Sequence, residues 1–215
     1  PWTALLLAPP AILGKTGFII WNSMALIVYA VLAQKLGGNL ITVGLLWISP
    51  PMYVALHLGQ IDWLVFSSLL TPAWLATFLV MIKPQVGIGL AILLTVRILR
   101  KKGPFYVMLI WALPCFVLLL SIMIFGYWMD GSEQLANLDY NISLWPYSIL
   151  PGIILLLLSL RLNSAPLALC AGPLLSPYLT EYSLVGVMLA LTHYRRLMYV
   201  MLGLPYLLIA LPYIL

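Results

Sequence analysis

Ile153-Ile154-Leu155-Leu156-Leu157-Leu158 decides the fold. Six branched apolar residues in a row carry no polar alternation. A chain can span a bilayer only as helices or as a closed barrel, because lipid offers backbone groups no partners. A barrel strand alternates apolar and polar residues with period two. This run does not, so it reads as helix. The surrounding composition puts that helix in a membrane. The chain has 215 residues, of which 64% are hydrophobic and 7% are Asp, Glu, Lys or Arg, and its mean hydropathy is +1.12. Soluble domains carry roughly 25% charged residues. A soluble globule of this size has too much surface to hide so much apolar material, and a disordered chain is excluded by the same numbers.

One pass needs roughly 20 residues plus a short link. The length therefore predicts an all-α integral membrane protein with about eight or nine transmembrane helices, in a single domain over 1–215. Apolar runs cover 16–34, 40–56, 63–82, 86–99, 104–128, 145–160, 164–175, 183–193 and 197–215. Several are broken by proline: Pro50-Pro51, Thr71-Pro72 and Pro114 lie inside them. Residues 1–14 hold Pro9-Pro10 and are too short for an ordinary span, so they read as a re-entrant or interfacial piece. Residues 63–82 either cross once or form a hairpin of two half-helices with Thr71-Pro72 at its tip. The hairpin is favoured, and it sets the polar stretch 57–62 beside Lys83.

The net charge of +5 is not a nucleic-acid footprint. Arg97, Arg100, Lys101 and Lys102 close an apolar run, where cytoplasmic residues belong by the positive-inside rule. With Arg161 and Arg195-Arg196 they define the cytoplasmic side. The loop 129–144, with Asp130, Glu133 and Asp139, then faces outward with the stretch around Tyr178. Cys115 and Cys170 lie in apolar runs and read as packing residues. The chain begins at Pro1-Trp2 and stops inside an apolar run, which reads as the C-terminal portion of something longer.

Ionisable groups at membrane depth cost roughly 2.5–3.5 kcal/mol on insertion scales, so each needs a reason. Asp62 follows His57 and Gln60 at a predicted helix start. It either gathers a polar substrate with them or caps the helix. Lys83 precedes Pro84 and Gln85, where an ammonium beside free helix N–H groups suits a phosphate. The competing explanation is a lysine snorkelling to the interface. Glu181 sits between Tyr178 and Tyr182, which suits hydroxyl recognition of a sugar or an interfacial aromatic belt. His193 reads as a headgroup-level residue. The acidic loop does not match a calcium-loop spacing, and no metal or cofactor motif is visible.

At these polar stretches the chain resembles the polytopic glycosyltransferases of family 87, of the C-type glycosyltransferase class. The resemblance rests on Pro1-Trp2 with Pro9-Pro10, then Trp21-Asn22, then Ser49-Pro50-Pro51 followed by Gly59-Gln60-Ile61-Asp62. Lys83-Pro84-Gln85 and Ser176-Pro177-Tyr178 with Tyr182-Ser183-Leu184 complete it, in family order. It implies a hexosyl or pentosyl transferase, mannosyl-type among the candidates, in the cell envelope. The donor is a polyprenyl-phosphate sugar, the acceptor a lipid or glycan on the outer face, and no cofactor is needed. It implies a multi-pass protein of a prokaryotic cytoplasmic membrane, in contact with lipid and not with nucleic acid. The candidate substrate residues are His57, Gln60, Asp62, Lys83, Gln85, Tyr178 and Glu181. The family's base lies in an outer loop that would precede Pro1, so the catalytic group is expected to be missing, with Asp62 the one carboxylate here beside a candidate pocket. Ser183 stands where the family often has Asp. The rival readings are a secondary transporter or flippase, which suits the broken helices, and a non-catalytic scaffold subunit.

Overall fold

A computed structural model describes residues 4–126 and 141–203. Among the described residues the chain is all-α, with no strand. The helices are α1 (Ala4–Ile12), α2 (Gly14–Lys35), α3 (Leu40–Trp47), α4 (Pro50–His57), α5 (Asp62–Ser67) and α6 (Ala73–Val80). They continue with α7 (Pro84–Phe125), α8 (Ile149–Leu162), α9 (Ala165–Leu174) and α10 (Val185–Ala190). Short 3₁₀ turns cover Glu181–Leu184 and Leu191–His193, and 195–203 is helical. The acidic residues Asp130, Glu133 and Asp139, and the tail 204–215, lie outside the described residues.

The breaks follow the sequence chemistry. Asn39 caps α3 in a reciprocal box with Thr42: its side-chain oxygen accepts from the Thr42 amide at 3.1 Å, and the Thr42 hydroxyl accepts from the Asn39 amide at 2.8 Å. Ser49 ends that helix and starts the next. Its hydroxyl donates to the Leu46 carbonyl at 2.7 Å, and Pro50-Pro51 follow at the positions where a missing N–H costs least. The α3–α4 pair bends by 59° there.

Residues 63–82 form the hairpin. Helices α5 and α6 are separated at Ser68–Pro72, and the Lys35 ammonium donates to the Leu69 carbonyl at 2.7 Å in the turn. A single crossing would hold the two ends of this stretch apart, whereas Asp62 and Lys83 touch. Helix α5 packs against α2 and α7, and α6 against α7, and such short half-helices are tolerated at membrane depth when buried in protein.

Helix α7 also folds back. Gly103 has φ +80°, and the Trp111 indole N–H donates to the Thr95 hydroxyl at 3.0 Å. Sixteen residues along a straight helix would span about 24 Å, so the two halves lie side by side with the turn at Gly103. A residue with a Cβ disfavours this φ, and Pro104 restarts the helix.

Among the described residues, two helices, α2 and α7 with its two halves taken together, are long and apolar enough to cross a membrane, or three if the bent α3–α4 pair is one span. This is fewer than the eight or nine predicted from length. The length arithmetic assumes unbroken helices, whereas α5, α6, α8 and α9 have 6, 8, 14 and 10 residues. Helix α5 stops at Ser68 and α8 at the left-handed Asn163.

One core joins these pieces. Tyr29, Phe66, Leu90, Leu169 and Leu189, from five different helices, are fully buried in it. Helices α7 and α9 approach at Gly89, where a Cβ would strike the Ala168 carbonyl oxygen. Small residues allow such backbone contact between membrane helices. The outer surface is apolar as well: Phe105 is 79% exposed, Met108 71% and Met123 83%. A continuous face of this kind suits lipid rather than water.

Candidate functional site

Each end of the molecule has its own chemistry. At one end, Arg97 donates through Nε and Nη2 to the side-chain and backbone oxygens of Asn163, at 2.5 and 2.7 Å. Arg100 donates to the Leu160 carbonyl at 3.0 Å, so both cations close the C-terminus of α8. Lys102 lies over the Tyr106 ring at 4.2 Å. His193 Nδ1 is 3.3 Å from the Gly37 carbonyl oxygen and edge-on to Tyr194. Arg97, Arg100 and Lys102 thus lie around the Gly103 turn, and His193 lies at Gly37.

At the other end lies one buried ion pair. The Lys83 ammonium donates to Asp62 Oδ1 at 2.5 Å. Asp62 is fully buried and Lys83 is 9% exposed. Local structure explains both placements. Asp62 opens α5, yet its side chain makes no capping bond, so the capping explanation does not account for it. Lys83 is the N-cap of α7 ahead of Pro84, at the far end of the hairpin that begins at Asp62.

The Glu181–Leu184 turn closes this pair. The Tyr182 ring sits 4.3 Å from the Lys83 ammonium, a cation–π contact. Ser183, buried, faces the Asp62 carboxylate and shares a hydrogen bond of 3.1 Å with Thr180. Asp62 Oδ2 has no hydrogen-bond partner, and neither does the buried indole N–H of the adjacent Trp63. A half-satisfied buried network is costly, so these atoms add no stability as they stand.

The segment leading into this turn is held from behind. Asn141 accepts from the Leu179 amide at 3.0 Å and donates to the Pro177 carbonyl at 3.1 Å. Ser143 donates to the Ser176 carbonyl at 2.6 Å, and Ser176 donates to the Tyr178 carbonyl at 2.5 Å. The Asn141-Ile142-Ser143 stretch thus serves as a clamp on the Tyr178 segment.

Trp21 and Asn22 hold the other wall. The Trp21 indole donates to the Gly59 carbonyl at 3.1 Å, and Asn22 donates to the Leu56 carbonyl at 3.0 Å. Trp21 meets Trp63 edge-on, with centroids 4.9 Å apart. An apolar groove of about 290 Å³ opens beside them, lined by Leu7, Pro10, Phe18, Trp21 and Leu58 among others.

Of the seven predicted substrate residues, Asp62 and Lys83 meet directly. Gln60 and Gln85 are half-buried next to them in sequence, and Tyr178 is half-buried on the clamped segment. His57 and Glu181 are exposed, on elements that pack together, and His57 stacks on Tyr53 with centroids 6.1 Å apart. The helix-start anion cradle is smaller than expected: Pro84 has no N–H, and the Val86 and Gly87 amides both bond to the Lys83 carbonyl at 3.0 Å. Tyr182 and Ser183 belong to the site although neither was singled out as a substrate residue. The available signal was the Tyr182-Ser183-Leu184 stretch on which the resemblance partly rests. No group of three or more metal-ligating side chains occurs among the described residues.

Compared with protein-family models, curated proteins and solved structures, the chain matches none.

Proposed function

We propose that the chain is the membrane portion of a glycosyltransferase of the family 87 kind, moving a hexose or pentose from a polyprenyl-phosphate sugar to a lipid or glycan acceptor at the outer face. One observation carries this reading. Three stretches on which the resemblance rests, Gly59–Asp62, Lys83–Gln85 and Tyr182–Leu184, are distant in sequence and converge on one buried ion pair. The architecture that goes with it is a bundle of eight or nine passes in which half-helices such as α5 and α6 count as parts of crossings.

In such a transfer the acceptor hydroxyl attacks the anomeric carbon. The bond from that carbon to the phosphate oxygen breaks, and the phosphate leaves with the electron pair. A cation at the leaving oxygen lowers the barrier, and Lys83 is the cation in place. Asp62 is its partner in the closed site and yields Lys83 to the phosphate when the donor enters. The groove beside Trp21 gives a lipid-linked substrate an apolar approach. The acceptor's proton goes to a base that the resemblance places in an outer loop.

The test uses purified protein in lipid nanodiscs, with binding of a polyprenyl-phosphate sugar as readout. Removing Lys83 alone would strand Asp62, so the informative variant is Asp62→Asn/Lys83→Gln, which neutralises both groups together. The expected result is donor binding by the wild type and none by the double variant. Undiminished binding by the double variant would remove Lys83 from the phosphate role. A transporter or flippase is the second reading, favoured by a buried ion pair between broken half-helices. Movement of a lipid-linked substrate across proteoliposomes without sugar transfer would select it.

A further inference from the structure

A second cavity, of about 330 Å³, lies between α8, α9 and α10, with walls that include Leu155, Cys170, Leu174, Leu184 and Val187. One residue with a side-chain hydroxyl, Ser148, is among its lining residues. Ser148 is 4% exposed, and its Oγ has no hydrogen-bond partner. Water is a poor occupant, because a buried water typically makes about three hydrogen bonds and these walls are nearly all apolar. An apolar cavity of roughly 150 Å³ already takes a benzene ring, and this one is larger.

Its depth narrows the choice further. Ser148 begins α8, directly after Trp145 and Tyr147, which are 44% and 88% exposed. Exposed Trp and Tyr of this kind sit at the headgroup level. Ser148 points inward just below them, at the depth of glycerol esters, and the apolar walls continue towards the membrane interior along α8.

We propose that this cavity holds one acyl chain of a glycerolipid, with the Ser148 hydroxyl turning to donate a hydrogen bond to the lipid's ester carbonyl. The inference rests on the membrane reading alone and is independent of glycosyl transfer. It gives the orphaned hydroxyl a partner and the apolar walls an occupant. Leu179 and Leu184 line the cavity from the segment whose opposite side presents Tyr182 to Lys83, so the bound chain also buttresses the ion-pair site.

The probe is phosphatidylcholine with a photoactivatable group in its acyl chain, in vesicles containing the whole chain. After illumination, the adducts are mapped to peptides. They are expected to concentrate on peptides covering 142–155 and 170–187. Leu174→Trp and Val187→Phe each fill the cavity and should remove most of these adducts while the melting temperature is retained. Ser148→Ala should lower them about threefold to tenfold, the range of one hydrogen bond. Adducts spread evenly over the lipid-facing helices, and indifferent to both filling variants, would overturn the proposal. Unchanged labelling in Ser148→Ala would overturn the ester contact.

Discussion

Cations hold both ends of this molecule, in opposite ways. At the Gly103 end, Arg97 and Arg100 reach over exposed surface to the oxygens that close α8. At the Lys83 end, one ammonium is buried, paired with a buried carboxylate and roofed by Tyr182. The first arrangement is a helix-end contact that salt screens and that contributes little. The second takes two charges out of water, which well-packed apolar residues would do more cheaply. A buried pair is thus weak evidence for stability. Its presence at the junction of three polar stretches points to function, and the contrast tells which of ten basic residues to pursue.

The largest effect should come from breaking the pair. Lys83→Met leaves Asp62 buried and uncompensated, at a cost of about 3–5 kcal/mol. Asp62→Leu/Lys83→Met should recover most of that loss, which thermal unfolding in detergent would show. If the double variant is no more stable than the single one, the two residues are not coupled. A middle-sized effect belongs to the helix that connects the two ends. Gly89→Val forces a side chain against the Ala168 carbonyl, and overpacking of this kind costs about 1–3 kcal/mol. The smallest effect should come from Arg97→Ala, about 0.5–1 kcal/mol, shrinking as salt is raised. An Arg97→Ala loss as large as that of Lys83→Met would erase the distinction between the ends.

Much of this was legible in the sequence, for identifiable reasons. Helix rather than strand followed from runs without alternation, and the punctuation at Ser49-Pro50 and Lys83-Pro84 falls where the helices break. The hairpin over 63–82 was one of two readings, because Thr71-Pro72 permits either. Only the contact of Asp62 with Lys83 decides between them. The doubling back of α7 was marked by Gly103-Pro104, and the apolar runs 86–99 and 104–128 already separated there. The number of long spans was not legible, because hydropathy does not show whether an apolar run forms one helix or two short ones. Neither was the role of Tyr182 and Ser183. Their partners lie on the far side of the chain, and an aromatic at an interface has the same sequence signature whether it meets lipid or a lysine. His57 and Glu181 were drawn in by polarity alone, and both point to the exterior.

The central claim is that residues 57–62, Lys83 and the 181–184 turn gather at one face, opposite the basic end. Single cysteines test it in sealed, right-side-out vesicles, on a background with Cys115 and Cys170 replaced by Ser. A membrane-impermeant maleimide should label His57→Cys and Glu181→Cys from outside. Lys102→Cys should label only once the vesicles are opened. Labelling of His57→Cys from the same side as Lys102→Cys would place the 57–62 stretch at the basic end and contradict the site described above.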